Sequence, residues 1–279
     1  MSLELLYITN DERVAATAER CGVEWIFIDL EIIGKRERQG HLDTVISNHT
    51  IKDIGKIKKV IHNSKLLVRV NPVYKGSDEE IEEVIGEGAD MIMLPYFKTT
   101  KEVDYFLKKV NHRTKTCLLC ETAEAVDHID EILKLDGIDC IFIGLNDLHL
   151  SYHMNFMFEP LADGKVENLC NKFRQQRIPY GFGGIAALGH GDLPSEYIIA
   201  EHYRLGSTMV ILSRSFYHAT ENQDLNEVDE VFSNGIREIR EYEDSLAYKD
   251  AEFYKENHLV VQEKVQIIAN KIAKRKENK

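Results

Sequence analysis

The amino-acid sequence predicts one (β/α)8 barrel, a TIM barrel, with a C-terminal helical extension. Three observations carry that prediction. Eight short apolar runs recur along the 279 residues, several of them near-continuous in apolar side chains, as parallel strands buried on both faces must be. Stretches of helical periodicity separate them, and alternating β and α with short connections implies a parallel sheet. An open doubly wound sheet would need a glycine-rich phosphate loop after an early strand, and none follows Ile8 or Leu30. The length is close to the ~250 residues of a one-domain barrel.

In chain order the predicted strands are Leu5–Ile8, Trp25–Leu30, Leu66–Asn71, Asp90–Pro95, Thr116–Glu121, Cys140–Leu145, Ile178–Gly183 and Thr208–Leu212. Between them, Glu79–Gly88 places Ile81, Val84 and Ile85 at i, i+3 and i+4. Ala123–Leu135 carries Val126, Ile129, Ile132 and Leu133 on one stripe. Ser77–Glu80 and Thr99–Glu102 read as capping boxes, and Gly88 and Gly137 as helix stops. Asn226–Asp244 reads as the last barrel helix. His258–Ala273 is surplus to a barrel, so its apolar residues must pack back onto the barrel or onto another subunit. No linker rich in Pro, Gly or Ser interrupts the chain, so residues 1–220 form the barrel core and 221–279 its final helix and extension, one domain.

Composition narrows the function. The formal net charge is −12 and the pI near 5.4, which argues against a nucleic-acid partner. No apolar run reaches the ~18 residues of a membrane span, and the N-terminus lacks the order of a signal peptide, so the expectation is a cytoplasmic enzyme with no membrane partner. The five cysteines show neither a disulfide framework nor zinc spacing and are expected as small core residues.

Active sites of barrels lie at the carboxyl ends of the strands. There the sequence delivers Asp29 and Glu31 after the second run, Arg69 and Asn71 from the third, Glu121 from the fifth, Asn146 and Asp147 after the sixth, Gly181 to Gly184 from the seventh, and Ser213 and Arg214 from the eighth. Glu121 and Asp147 come from neighbouring strands, so their carboxylates are expected to share one hard dication. Mg2+ takes one or two carboxylates and completes its shell with water and substrate oxygens. Arg69 suits a substrate carboxylate or a developing oxyanion. Asn146 and the amides at Gly183 and Gly184 suit an anionic group.

Val68-Arg-Val-Asn71, Ala89-Asp-Met-Ile-Met-Leu-Pro95, Glu121-Thr-Ala-Glu-Ala-Val126 and the Gly137 to Leu148 segment with Gly144-Leu-Asn-Asp-Leu148 resemble the HpcH/HpaI aldolase and citrate lyase β-subunit family, most clearly over residues 22–150 and more weakly to 216. The resemblance implies a barrel of the phosphoenolpyruvate/pyruvate superfamily. It implies Mg2+, with Mn2+ and Co2+ as alternatives, on Glu121 and Asp147, and Arg69 holding the enolate of a pyruvate-like 2-oxo acid. The implied activity is reversible carbon–carbon cleavage through a metal-stabilised enolate, in a homo-oligomer that packs its C-terminal helices against a neighbour. Asp29 and Glu31 match the family's acidic pair.

The chain departs from that pattern twice. Ile32 stands where free-acid aldolases of the family carry the His of the acid–base step, and Leu119 stands where they carry a Gln. Citrate lyase-type members also lack that His, so a thioester lyase is the runner-up, with Lys35, Arg36 and Arg38 as a basic rim for a CoA ester. A non-catalytic barrel binding a dicarboxylate is the third reading. His41, His49, His149 and His153 are the remaining candidates for moving protons.

Overall fold

The computed structural model describes residues 2–35, 47–213, 216 and 225–277. Its strands are β1 (Glu4–Ile8), β2 (Trp25–Asp29), β3 (Lys65–Arg69), β4 (Met91–Leu94), β5 (Lys115–Cys120), β6 (Cys140–Ile143), β7 (Tyr180–Ile185) and β8 (Met209–Leu212). They follow one another in sequence order round a closed barrel. The predicted eight-stranded barrel is therefore the observed one. All of β2, β4 and β6 is buried, which is why these runs are apolar on both faces. The chain divides into two compact units, Leu5–Phe142 and Ile143–Lys279 with Met1–Glu4, and each is described by itself.

In the first unit the parallel register sets Trp25 beside Lys65 and Asp29 beside Arg69, so the last residues of β2 and β3 end level. Four longer helices accompany its strands: α1 (Glu12–Arg20), α2 (Ile51–Val60), α3 (Ser77–Gly86) and α4 (Thr100–Val110). The Thr99–Glu102 capping box forms as predicted. The one read at Ser77–Glu80 does not. Ser77 Oγ accepts the Tyr74 amide instead, Gly76 is the cap, and Glu80 is drawn away to Asn71. The helix expected over Ala123–Leu135 is two short ones, α5 (Ala123–Asp127) and α6 (Ile129–Ile132), broken at His128.

The second unit holds α7 (Leu145–Ser151), α8 (Glu159–Ala162), α9 (Lys165–Gln175), α10 (Ser195–Leu205), α11 (Leu225–Leu246) and α12 (Ala251–Glu277). Along α12, Asn257, Val261, Val265 and Ala269 are buried, one residue every four, and the helix packs on α10 and α8. Its apolar stripe is thus covered within its own unit, while Leu259 and Ile267 stay exposed. Polar contacts fix the same seam. Glu201 on α10 is fully buried and accepts from Arg204 at 2.8 Å, His258 at 3.0 Å and Asn257 at 3.1 Å.

Candidate active site

The end of β2 builds a buried cluster of four charges. Asp29 and Glu31 are 2% and 0% exposed. Arg69 reaches across from β3 and grips Asp29 with both edges of its fork, Nε to Oδ1 and Nη2 to Oδ2, each at 2.8 Å. Lys35 Nζ adds a third bond, 2.7 Å to Asp29 Oδ2. Glu31 Oε2 lies 3.5 Å from both Lys35 and Arg69. Two acids and two bases leave no net charge, the condition under which buried ions are tolerated. Burial opposes the charge on Asp29, but Arg69 and Lys35 overcome it and hold the carboxyl far below the usual range. The Arg69 guanidinium in turn stays charged against burial because Asp29, Glu31 and Glu121 surround it.

The sequence placed Arg69, Asp29 and Glu31 at one strand end, and the structure brings them together. It changes the part Arg69 plays at rest. The guanidinium is engaged on all three nitrogens, Nε and Nη2 by Asp29 and Nη1 at 3.5 Å from Glu31 Oε2. Lys35 had been grouped with the surface bases of a CoA rim and is instead a buried partner of Asp29, 4% exposed. Its only trace in the sequence is its place four residues after Glu31, the spacing of an ion pair. Arg36, Arg38, His41 and Arg214 lie outside the described residues.

The loop after β2 is clamped from β3. Asn71 Oδ1 accepts the amides of Ile32 and Ile33 at 2.9 and 3.0 Å, while its Nδ2 donates to Glu80 at 2.8 Å. Ile32 itself, where the family His would stand, is 60% exposed. His49 does not replace that His as a base. Its Nδ1 accepts the Asp29 amide at 3.0 Å, so in the neutral ring the proton sits on Nε2 and no lone pair is left to take another. Burial, the largest influence, keeps its pKa below the ordinary value. His49 is a neutral N–H donor.

Glu121, directly after β5, is 3% exposed, and its Oε1 accepts the Tyr96 amide at 3.0 Å. Tyr96 adopts a left-handed φ of 48° to point that amide there. In the second unit, Asp147 lies in the first turn of α7 and is buried, with Asn146 half-buried beside it. Gly183 and Gly184 have packing reasons of their own. The β7–β8 register shifts between Gly181 and Gly184. Gly183 there takes φ 57°, and a Cβ on it would come 2.9 Å from Leu145 Cδ1. His149 is buried, with Nδ1 3.3 Å from the Leu145 carbonyl, so its neutral ring carries the proton on Nδ1 and leaves Nε2 as an acceptor. His153 is exposed in a left-handed turn.

Comparison with known proteins follows the same line. The family model described as HpcH/HpaI aldolase/citrate lyase matches residues 5–156. No curated protein sequence matches the chain. Among solved structures, a HpcH/HpaI aldolase/citrate lyase family protein from Burkholderia cenocepacia J2315 is similar at a TM-score of 0.60 and 15% identity, over 86% of this chain and 95% of that one. The HpcH/HpaI aldolase from Desulfitobacterium hafniense DCB-2 is similar at 0.59 and 15%, over 86% and 93%. Citrate synthase SbnG is similar at 0.58 and 16%, over 87% and 95%. At such identities the likeness speaks for a shared fold. Matched over more than half its length by the family model, the chain belongs to the HpcH/HpaI aldolase/citrate lyase family, and its function is of the lyase or aldolase kind.

Proposed function

We propose that the chain is a metal-dependent carbon–carbon lyase or aldolase acting on a pyruvate-like 2-oxo acid. The observation that carries this reading is the buried Arg69–Asp29–Glu31–Lys35 cluster with Glu121 near enough to Arg69 to raise its pKa. Such a cluster keeps a guanidinium charged and fixed in place, which is what stabilisation of a developing oxyanion requires.

The residues present fit a hard dication. Glu121 and Asp147 are buried carboxylates, oxygen donors of the kind Mg2+ prefers. Mg2+ takes only one or two protein carboxylates and most of its shell from water and substrate. Mn2+ and Co2+ are the alternatives. When bound, the ion would polarise the 2-oxo carbonyl and acidify the neighbouring C–H.

The protein's own groups do the rest. Arg69 supplies the positive charge that meets the negative one developing on the substrate oxygen. Asp29 and Glu31 hold the guanidinium in place, and Lys35 balances the second of their charges. Asn146 and the backbone at Gly183 and Gly184 are assigned to the substrate carboxylate. In the cleavage direction a hydroxyl proton must leave as the carbon–carbon bond breaks and the enolate then takes up a proton. Ile32 can do neither, and His49 is fixed as a donor.

The thioester alternative draws less support, because Lys35 is spent on Asp29 and does not offer its charge to a CoA phosphate. The test is pyruvate release from a 4-hydroxy-2-oxo acid, with Mg2+, with EDTA and in the Glu121→Ala variant. The reading expects release with Mg2+ and its loss, by at least about a hundredfold, in the other two. Full activity in EDTA or in Glu121→Ala would overturn it.

A further inference from the structure

The loop that follows β2 carries two members of the charged cluster, and its middle is not held by its own side chains. Its start is pinned, because Leu30 is buried and donates its amide to the Arg69 carbonyl at 2.9 Å. Ile32 and Ile33, however, are 60% and 40% exposed, so neither anchors the loop by apolar burial. Flanking them, Glu31 and Lys35 are buried against Asp29 and Arg69. The turn closes with the Lys35 amide on the Ile32 carbonyl at 3.4 Å. What fixes its middle is Asn71, whose Oδ1 accepts the amides of Ile32 and Ile33.

An Asn carboxamide can serve two amides only with its oxygen turned toward them. Glu80, in the first turn of α3, sets that orientation. A carboxylate accepts and does not donate, so it faces the NH2 side: Asn71 Nδ2 donates to Glu80 Oε1 at 2.8 Å. The Asn71 backbone amide donates across both carboxylate oxygens, 3.3 Å from each. Glu80 is 7% exposed. Among the described residues no cation pairs with it, and the hydrogen bonds to its side chain all come from Asn71. Burial, the largest influence, pushes its carboxyl above the ordinary value. An apolar side chain would fill that place without the cost of a buried charge, so packing alone does not account for Glu80.

We propose that Glu80 is a positioning residue of the lyase site: through Asn71 it seats residues 30–35 and so keeps Glu31 and Lys35 on the Asp29–Arg69 pair. The proposal rests on the lyase reading for the use made of that cluster, whereas the seating itself does not. With the loop displaced, Arg69 Nη1 loses Glu31 and Asp29 loses Lys35, while the two bonds between Arg69 and Asp29 remain. A guanidinium held on one edge only is less well aimed, which slows turnover more than it weakens substrate binding.

Lys35 reports the seating. The full chain is treated with N-hydroxysuccinimidyl acetate and acetylation is followed by peptide mass spectrometry, with Lys108, whose side chain is 74% exposed, as the internal reference. Glu80→Met keeps the volume and removes both acceptors, and Lys35 is then expected to acetylate at least about tenfold faster than in the wild type. Asn71→Asp sets carboxylate against carboxylate and is expected to do the same. In Asn71→Asp/Glu80→Gln the donor and acceptor exchange places, which should return Lys35 to within about threefold of the wild-type rate. Lys35 as slow in Glu80→Met as in the wild type, or no recovery in the double variant, overturns the proposal. If Asn71→Asp does not fold, Glu80→Met decides. In the pyruvate-release assay, well below its melting temperature, Glu80→Met should lower kcat at least about tenfold with KM within about threefold. A residue that served stability alone would lower Tm and leave kcat, so an unchanged kcat in Glu80→Met also overturns the positioning role. A wild type that releases no pyruvate contradicts the lyase reading instead, and the Lys35 labelling still decides the seating.

Discussion

At the scale of single residues, Asp29 organises the site, and the sequence announced it only in part. Asp29, Glu31 and Arg69 could be read at strand ends because strand register places side chains predictably. Lys35 could not, because a lysine beyond the strand end reads as a solvated base and nothing in the sequence pairs it with Asp29. Removing one member of a buried ion cluster leaves its partners uncompensated, typically at 3–5 kcal/mol. Lys35→Met leaves Asp29 still gripped by Arg69, so the expected loss is at the low end, about 3 kcal/mol, in urea unfolding at neutral pH. A loss below about 1 kcal/mol would mean that Lys35 is solvated and outside the cluster. A second buried residue sets a pH response. His202 stacks on Phe182 with ring centroids 3.8 Å apart and bonds Ser207 through Nδ1 at 2.8 Å. Burial lowers its pKa from 6.5 to about 3. The unfolded chain therefore binds the proton first as pH falls, and stability is full above 6.5 and declines between 6.5 and about 3. Across that window the loss is on the order of 5 kcal/mol. His202→Gln should flatten the stability slope between pH 6.5 and 5; an unchanged slope would place the proton uptake elsewhere.

Among the elements, the strands were the most legible, since a parallel strand covered on both faces has few residue types open to it. Boundaries at helix starts were less so. Ser77–Glu80 has the letters of a capping box, yet Asn71 competes for Glu80 and wins, because two donors of one buried amide-bearing residue outweigh a single cap bond. The break at His128 had no proline or glycine to signal it. The glycines of β7 were read as anion-binding amides, and their surroundings add a mechanical reason for them. Gly183→Ala would put a Cβ 2.9 Å from Leu145 Cδ1 at a φ of 57°, so a destabilisation of about 2 kcal/mol is expected in thermal unfolding. A melt unchanged from wild type would show that the bulge relaxes freely. Any effect of this variant on turnover has to be read after its stability is known.

Over the whole molecule, the closed order of eight strands was legible because the βα alternation repeats. The destination of the last helix was not. The apolar residues of His258–Ala273 divide between two sides of α12: Ile267 is exposed, whereas the buried side is the four-residue repeat Asn257, Val261, Val265 and Ala269. A homo-oligomer through the C-terminal helices, which remains our proposal, must therefore use the outer face with Leu259 and Ile267. A Leu259→Glu/Ile267→Glu double variant should shift such an assembly toward monomer in sedimentation velocity. An unchanged sedimentation coefficient, in a chain that is oligomeric as wild type, would move the interface elsewhere. The central claim, however, is chemical: we propose that the half-buried guanidinium of Arg69 and the carboxylate of Glu121 serve to make an enolate of a free 2-oxo acid. The most direct measurement is proton NMR of deuterium exchange into the methyl group of pyruvate, in the wild type with Mg2+, with EDTA, and in Glu121→Ala. The account predicts exchange that requires both the metal and Glu121. Absence of exchange in the Mg2+-loaded wild type, or exchange indifferent to Glu121, would contradict it.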